Sequence, residues 1–206
     1  MLAFESFKEL LSKEFSEHLE IYRNDKYLKI NLFKNKLHSF IKNLKDNEKF
    51  KFHQLIDITA VDYPSRELRF DIIYILLSLK LNQRIIIKSS IKENESIESI
   101  TNIFKSANWY ERECYDLFGI KFNNHPDLRR IMTDYNFEGH PLRKDFPLTG
   151  HSEVRYDDLE KKVVYDSVNL SQEYRNFDYT SPWEGLPNKL KGDEKATKDD
   201  DINERS

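Results

Sequence analysis

Hydrophobic periodicity runs through the first 119 residues and then stops, and this break constrains the fold more than any other feature of the chain. Phe4, Phe7, Leu10, Leu11, Phe15 and Leu19 recur at three and four residues, the spacing of a helix with one apolar face. Residues 26–31 alternate loosely and read as a strand. Phe33, Leu37, Phe40, Ile41 and Leu44 predict a second amphipathic helix that ends near Asp46 and Asn47. Residues 50–61 fit a strand, or a helix followed by a strand, before the turn chemistry of Asp62-Tyr63-Pro64-Ser65. Two β-branched runs, residues 68–79 and 84–91, form the clearest hairpin, and the first is apolar enough on both faces to lie inside a sheet. Ile97, Ile100, Ile103 and Phe104 predict a helix over residues 96–107, capped by Asn94 or Ser96. A last helix is expected over residues 109–118, with Gly119 as its stop.

Beyond Gly119 the prolines at 126, 141, 147, 182 and 187 break any period, yet aromatic residues persist to Trp183. Some 65 residues without a period are too long for an ordinary loop and too apolar for a solvated linker. Such a segment makes sense if it buries its apolar side chains on a partner. The expected class is therefore α+β: a mixed α/β domain over residues 1–120, a long, largely irregular arm over 121–187, and a disordered tail over 188–206, where aromatic residues are absent.

Charge and cysteine content exclude several functions. The net charge of −3 gives no basic excess for a nucleic-acid partner. Cys114 is the single cysteine, so the chain has no internal disulfide and no thiolate cluster for an iron–sulfur centre or structural zinc. On the apolar side of a helix it reads as a small buried hydrophobe rather than a nucleophile. No run approaches the roughly 20 apolar residues of a membrane helix. The start lacks the apolar centre of a signal peptide and carries Glu5, Glu9 and Glu14, which a transit peptide avoids. The expectation is a soluble protein made where it works, or one already processed. Alanine only at positions 3, 60, 107 and 196, against abundant Lys, Ile and Asn, suggests an AT-rich genome.

One segment carries more. Glu111-Arg112-Glu113-Cys114-Tyr115-Asp116-Leu117-Phe118-Gly119 leads to His125, Asp127, Arg129 and Arg130. In a helix Cys114, Leu117 and Phe118 share an apolar face, while Glu111, Arg112 and Asp116 point elsewhere, and Arg112 and Asp116 are spaced to pair. This run resembles the signature of the 30-kDa subunit family of respiratory complex I, NADH:ubiquinone oxidoreductase. The resemblance continues through Gly139, His140, Arg143 and Asp145, through Arg155, and into Tyr174, Phe177 and Trp183, where it is closest to the mitochondrial and α-proteobacterial branch.

The resemblance implies a scaffold subunit in the peripheral arm of that complex, with no flavin, iron–sulfur cluster or quinone of its own. FMN, the clusters and ubiquinone would belong to partner subunits. The principal partner would be the large quinone-site subunit related to hydrogenases. The expected location is the matrix side of the mitochondrial inner membrane, or the cytoplasmic face of a bacterial membrane. Two other readings stay open: the equivalent subunit of a related membrane-bound hydrogenase or dehydrogenase, and a metal-dependent hydrolase. The hydrolase would use His125, His140 and His151 with nearby acids, but their spacing matches no compact metal motif. The arginines of the arm, Arg129, Arg130, Arg143 and Arg155, are candidates for desolvated charge pairs at an interface. Tyr174, Phe177 and Trp183 are candidate aromatic anchors.

Overall fold

The β-branched runs become the sheet. A computed structural model describes residues 20–24, 27–170 and 172. The chain divides into two compact units, residues 1–166 and 167–206, and nearly all described residues belong to the first. Strands β1 (Glu20–Asn24), β2 (Tyr27–Asn31), β3 (Gln54–Asp62), β4 (Phe70–Ser78) and β5 (Gln83–Ile91) form a sheet in the order β1-β2-β5-β4-β3. All neighbours are antiparallel except β2 and β5, where Ile30 lies beside Ile87. Helix α1 (Lys34–Asp46) connects β2 to β3. The helix expected over residues 4–19 lies outside the described residues.

The expected hairpin forms as β4 and β5, with Asn82 at φ 50° in its turn. Strand β4 has a partner on each side and is interior, as its apolar composition demands. The sheet is nonetheless two-faced. Leu28, Ile30, Ile58, Phe70, Ile72, Tyr74, Leu76, Ile85 and Ile87 are buried, and the alternate positions Ile73, Ile75, Leu77 and Ile86 are only partly covered. Helix α1 sends Leu37, Phe40, Ile41 and Leu44 into the core. The loop after it adds Phe50 and Phe52, both fully buried, and Ser78 Oγ donates to the Phe50 carbonyl from β4. Edge strand β3 carries an irregularity between Leu55 and Asp57.

The helix expected over residues 96–107 does not form. Ser96–Glu98 is a short strand, β6, paired in parallel with β7 (Lys121–Asn123), and the chain then turns until helix α2 (Ala107–Phe118) begins. The apolar spacing still marks the core, since Ile97, Ile100, Ile103 and Phe104 are all buried. Tertiary bonds claim the backbone instead: Ser99 N–H donates to the Asn123 carbonyl and Ile100 N–H to Glu111 Oε1. Ahead of β6, the Glu95 carboxylate accepts the Lys92 N–H and pairs with Lys34.

After β7 the chain is irregular to residue 151, then forms a hairpin of β8 (Ser152–Asp157) and β9 (Lys162–Ser167). This regular element lies inside a segment read as aperiodic. Leu159 sits at its tip, 94% exposed, and Val154, Tyr156, Val163 and Tyr165 are also exposed.

The two faces of the sheet predict unequal responses to truncation. Ile87→Ala should cost about 2–5 kcal/mol in urea unfolding, because Ile87 is enclosed between Tyr74 and Ile30. Ile56→Ala, at an exposed position, should cost less than about 1 kcal/mol.

Candidate functional site

An α-helix ends with four backbone carbonyls that lack partners within it. In α2 all four are answered, and three of the answers come from the arm. Gly119 N–H donates to the Tyr115 carbonyl at 2.8 Å. His140 Nδ1–H donates to the Asp116 carbonyl at 2.8 Å, Leu142 N–H to Leu117 at 3.1 Å, and Arg143 Nε–H to Phe118 at 2.6 Å. The guanidinium also places positive charge at the negative end of the helix dipole.

Gly119 is the predicted stop and has φ 77°. Its missing side chain matters twice. A Cβ there would lie 2.6 Å from His140 Nε2 and would also collide with the Arg143 guanidinium. Only glycine allows the helix to end left-handed while the arm crosses over it. Gly139, one residue before His140, has φ 92°, and a Cβ there would meet the Phe146 ring at 2.8 Å.

Asp116 fastens the same helix to an earlier part of the arm. Its side chain is fully buried, and Oδ2 accepts the backbone N–H groups of Ile131, Met132 and Thr133 at 3.0, 2.7 and 3.0 Å. Oδ1 accepts the Thr133 hydroxyl at 2.6 Å and Arg130 Nη1–H at 3.3 Å. Burial opposes its charge, but these donors together hold its carboxyl below the ordinary carboxylate range. Arg130 also reaches the Gly139 carbonyl at 3.0 Å.

The expected Arg112–Asp116 pair is absent. Arg112 is buried and donates through Nε to the Arg129 carbonyl at 3.0 Å and through Nη2 to Arg130 at 3.4 Å. Helix α2 is therefore enclosed on two sides. Ala107, Glu111, Cys114 and Phe118, at spacings of four, three and four, are buried, with Cys114 Sγ reaching the Ile58 carbonyl of β3. Arg112 and Asp116, also buried, turn toward the arm. Burial pushes the Cys114 thiol well up, which is the opposite of an activated nucleophile.

A third fastening lies at the end of β3. Arg69 forms a two-pronged pair with Asp62 at 2.8 and 3.0 Å, and also meets Asp145 at 2.8 Å and Glu93 at 3.1 Å. Arg143 Nη1 joins Glu93 at 2.9 Å, and Lys144 N–H donates to Asp62 at 2.8 Å. The Arg69 hydrogen bond holds the Asp62 carboxyl low despite burial. Asp62, Arg69 and Glu93 were not singled out by sequence. The only hint was charge at the ends of apolar strands.

The other candidates are placed differently. Arg129 pairs with Asp127 at 3.0 Å in the open, and Arg155 with Asp166 at 2.6 Å and Asp157 at 3.2 Å on the hairpin. Glu113 is half-buried on α2. His125, His140 and His151 do not converge: His125 and His140 bond to separate carbonyls, and His151 lies edge-on to Phe146. Among the described residues no group of three His, Cys, Asp or Glu could hold a metal ion. Tyr174, Phe177 and Trp183 lie outside the described residues. An open groove of about 840 Å³ is bordered by Met132, Tyr135, Phe137, Phe146, Val154 and Tyr165. Tyr135 is fully exposed, and Met132 is 61% exposed.

Fold and site together define an α+β module whose last helix is finished by the irregular segment that follows it. The family described as respiratory-chain NADH dehydrogenase, 30 Kd subunit, matches residues 30–152, and the chain belongs to that family. It is 51% identical over 192 residues to the C subunit of the NADH-quinone oxidoreductase of Ruegeria pomeroyi, covering 89% of this chain and 96% of that one. It is 60% identical over 153 residues to the protein of the same name from a Chelativorans species, covering 74% and 76%. A chain in the structure of the membrane-bound sulfane sulfur reductase, an archaeal respiratory membrane complex, is similar at a TM-score of 0.59 and 25% identity. That likeness covers 70% of this chain and 85% of the other. No described helix is long and apolar enough to cross a membrane.

Gly119→Ala should displace His140 and Arg143 and cost at least about 2 kcal/mol in thermal unfolding, with faster proteolysis of the arm. Asp116→Ala strands three backbone N–H groups and Arg130, and should cost about 3–5 kcal/mol. Because Asp62 and Asp116 titrate below their ordinary 3.8, their stabilisation is complete above about pH 4 and is lost as pH falls through the lowered values. Acid titration followed by limited proteolysis checks that loss.

Proposed function

We propose that this chain is a structural subunit of a proton-translocating NADH:quinone oxidoreductase, peripheral to the membrane, whose redox chemistry runs through neighbouring subunits. FMN, the iron–sulfur clusters and ubiquinone are held by those partners, and the large quinone-site subunit is the principal contact. Residues 1–120 act as the anchor, 121–187 as the partner-binding arm, and 188–206 as a tail. The membership of residues 30–152 in the 30 Kd subunit family is the observation that carries this reading. The finer location is the matrix side of the mitochondrial inner membrane, or the corresponding face of a bacterial membrane.

The geometry also supports a division of labour among the signature residues. Arg112, Asp116, Arg130, His140 and Arg143 are engaged within the chain, so they shape the arm rather than meet a partner. Tyr135, Met132, Leu148 and Leu159, all well exposed, together with the exposed Asp127–Arg129 and Arg155 pairs, remain available to a neighbour. Exposed aromatic and long apolar side chains are the class that dominates interface energetics.

A second reading is the equivalent subunit of another membrane-bound respiratory complex, favoured by the likeness to a chain from the sulfane sulfur reductase structure. Affinity purification through a tag on Ser206 in mild detergent, with NADH-oxidation staining, separates the two. Recovery of a large NADH-oxidising complex is the expected result. Recovery of a complex without that activity favours the second reading, and a lone soluble chain excludes both. In the same preparation Tyr135→Ala should lower recovery of partners while leaving the unfolding of the isolated chain within about 0.5 kcal/mol.

A further inference from the structure

Glu111 sits where an acid is hardest to ionise. Its side chain is fully enclosed between α2, the turn after β6 and the turn that begins the arm. Oε1 accepts the Ile100 N–H at 2.8 Å, while Oε2 has no hydrogen-bond partner among the described residues. His125 Nε2 lies 3.9 Å from Oε2, on an imidazole that is also fully enclosed.

The hydrogen bonds of His125 fix its state. Asp127 N–H donates to Nδ1 at 3.1 Å, so that nitrogen carries a lone pair and the ring is neutral. The ring proton lies on Nε2 and is given to the Asn108 carbonyl at 3.1 Å. His125 thus clamps the first turn of the arm to the first turn of α2. It is not an imidazolium that could balance a carboxylate.

Among the described residues no cation faces Glu111. From β4 comes Tyr74, whose hydroxyl is also buried and without a hydrogen-bond partner among the described residues. From α2 itself comes the buried Cys114 thiol, and Asp57 of β3 acts on that thiol rather than on Glu111. From the turn after β6 come the Ser99 hydroxyl and the Ile100 N–H. Arg112, its neighbour in sequence, is turned to the carbonyls of residues 129 and 130.

We propose that Glu111 is a pH-sensitive latch on the root of the arm. Protonated, it leaves His125 clamped between Asn108 and Asp127. When it loses its proton to solvent, the carboxylate at Oε2 draws the Nε2–H of His125 toward itself and away from the Asn108 carbonyl. The ring turns, and the Asp127 N–H loses its acceptor. Burial pushes the Glu111 carboxyl up to about 7, with the Ser99 hydroxyl and the Ile100 N–H opposing it, so the latch operates around neutral pH. A folded-state value above the ordinary 4.5 means the stabilisation is complete below about pH 4.5 and is lost as pH rises from there through about 7. The latch is a property of this chain and does not depend on its assembly.

NMR of the full chain labelled with ¹³C and ¹⁵N tests it. The Glu111 carboxyl carbon should titrate near neutral pH, well above the ordinary glutamate value of 4.5. The Asp127 amide should shift at the same midpoint and exchange faster above it, beyond the intrinsic rise with pH. Glu111→Gln, a neutral isostere of the protonated acid, should abolish that response. Titration of Glu111 in the ordinary carboxylate range overturns the proposal, as does an Asp127 response that persists in Glu111→Gln. Should that variant fail to fold, the unmodified chain decides alone: separate midpoints for Glu111 and Asp127 overturn the proposal, and a shared one supports it.

Discussion

The polar end of α2 is the constraint on which the rest depends. A helix buried on its sheet side could end in water, where its last carbonyls find solvent. Here the arm crosses that end, and every one of those carbonyls has to be answered by protein. His140, Leu142 and Arg143 supply donors at the required spacing, and Gly119 supplies the space for them to approach. The irregular path of the arm follows from this demand. Donors must reach three successive carbonyls on a helix end, and no regular strand or helix presents them that way.

The two halves of the described structure are held by different physics. The sheet and α1 rest on apolar burial, roughly 1.5–3 kcal/mol for each enclosed Ile, Leu or Phe relative to exposure. The arm root rests on charge-assisted hydrogen bonds converging on Asp116, Asp62 and Arg69. Such bonds add directionality, but their net worth is limited by the desolvation of the charges they use. The first kind tolerates a change of side chain that preserves volume, whereas the second tolerates very little. An Arg130 or Arg143 replaced by Lys would keep its charge and lose the planar fork that reaches two acceptors at once.

Much of the fold was legible in the sequence wherever one interaction ruled. The β4–β5 hairpin, α1 and the Gly119 stop followed from apolar period and glycine chemistry. Residues 96–104 misled because burial at three- and four-residue spacing does not require a helix when tertiary carbonyls and Glu111 Oε1 take the N–H groups. Asp116 misled for a related reason. Four residues from Arg112, it had a ready local partner, yet both side chains bond to arm residues 14 to 18 positions away from them. The signature identified which residues mattered without saying what they touch, and Asp62, Arg69 and Glu93 fell outside it altogether. The hairpin β8–β9 was missed because Val154, Tyr156, Val163 and Tyr165 alternate over runs too short and too exposed to stand out.

The way α2 is finished also bears on how the chain is made. A growing polypeptide emerges from the ribosome N-terminus first, so the sheet strands and all of α2 leave the tunnel before His140, Leu142 and Arg143 do. Through that interval the helix has its carbonyls, and Asp116 its charge, without the donors that will satisfy them. The nascent chain therefore reaches its native state only after the arm root has followed it out. A pause in translation that holds residues 119 to 143 inside the tunnel would prolong an incomplete form, one whose hydrophobic core can assemble while its last helix remains open at one end.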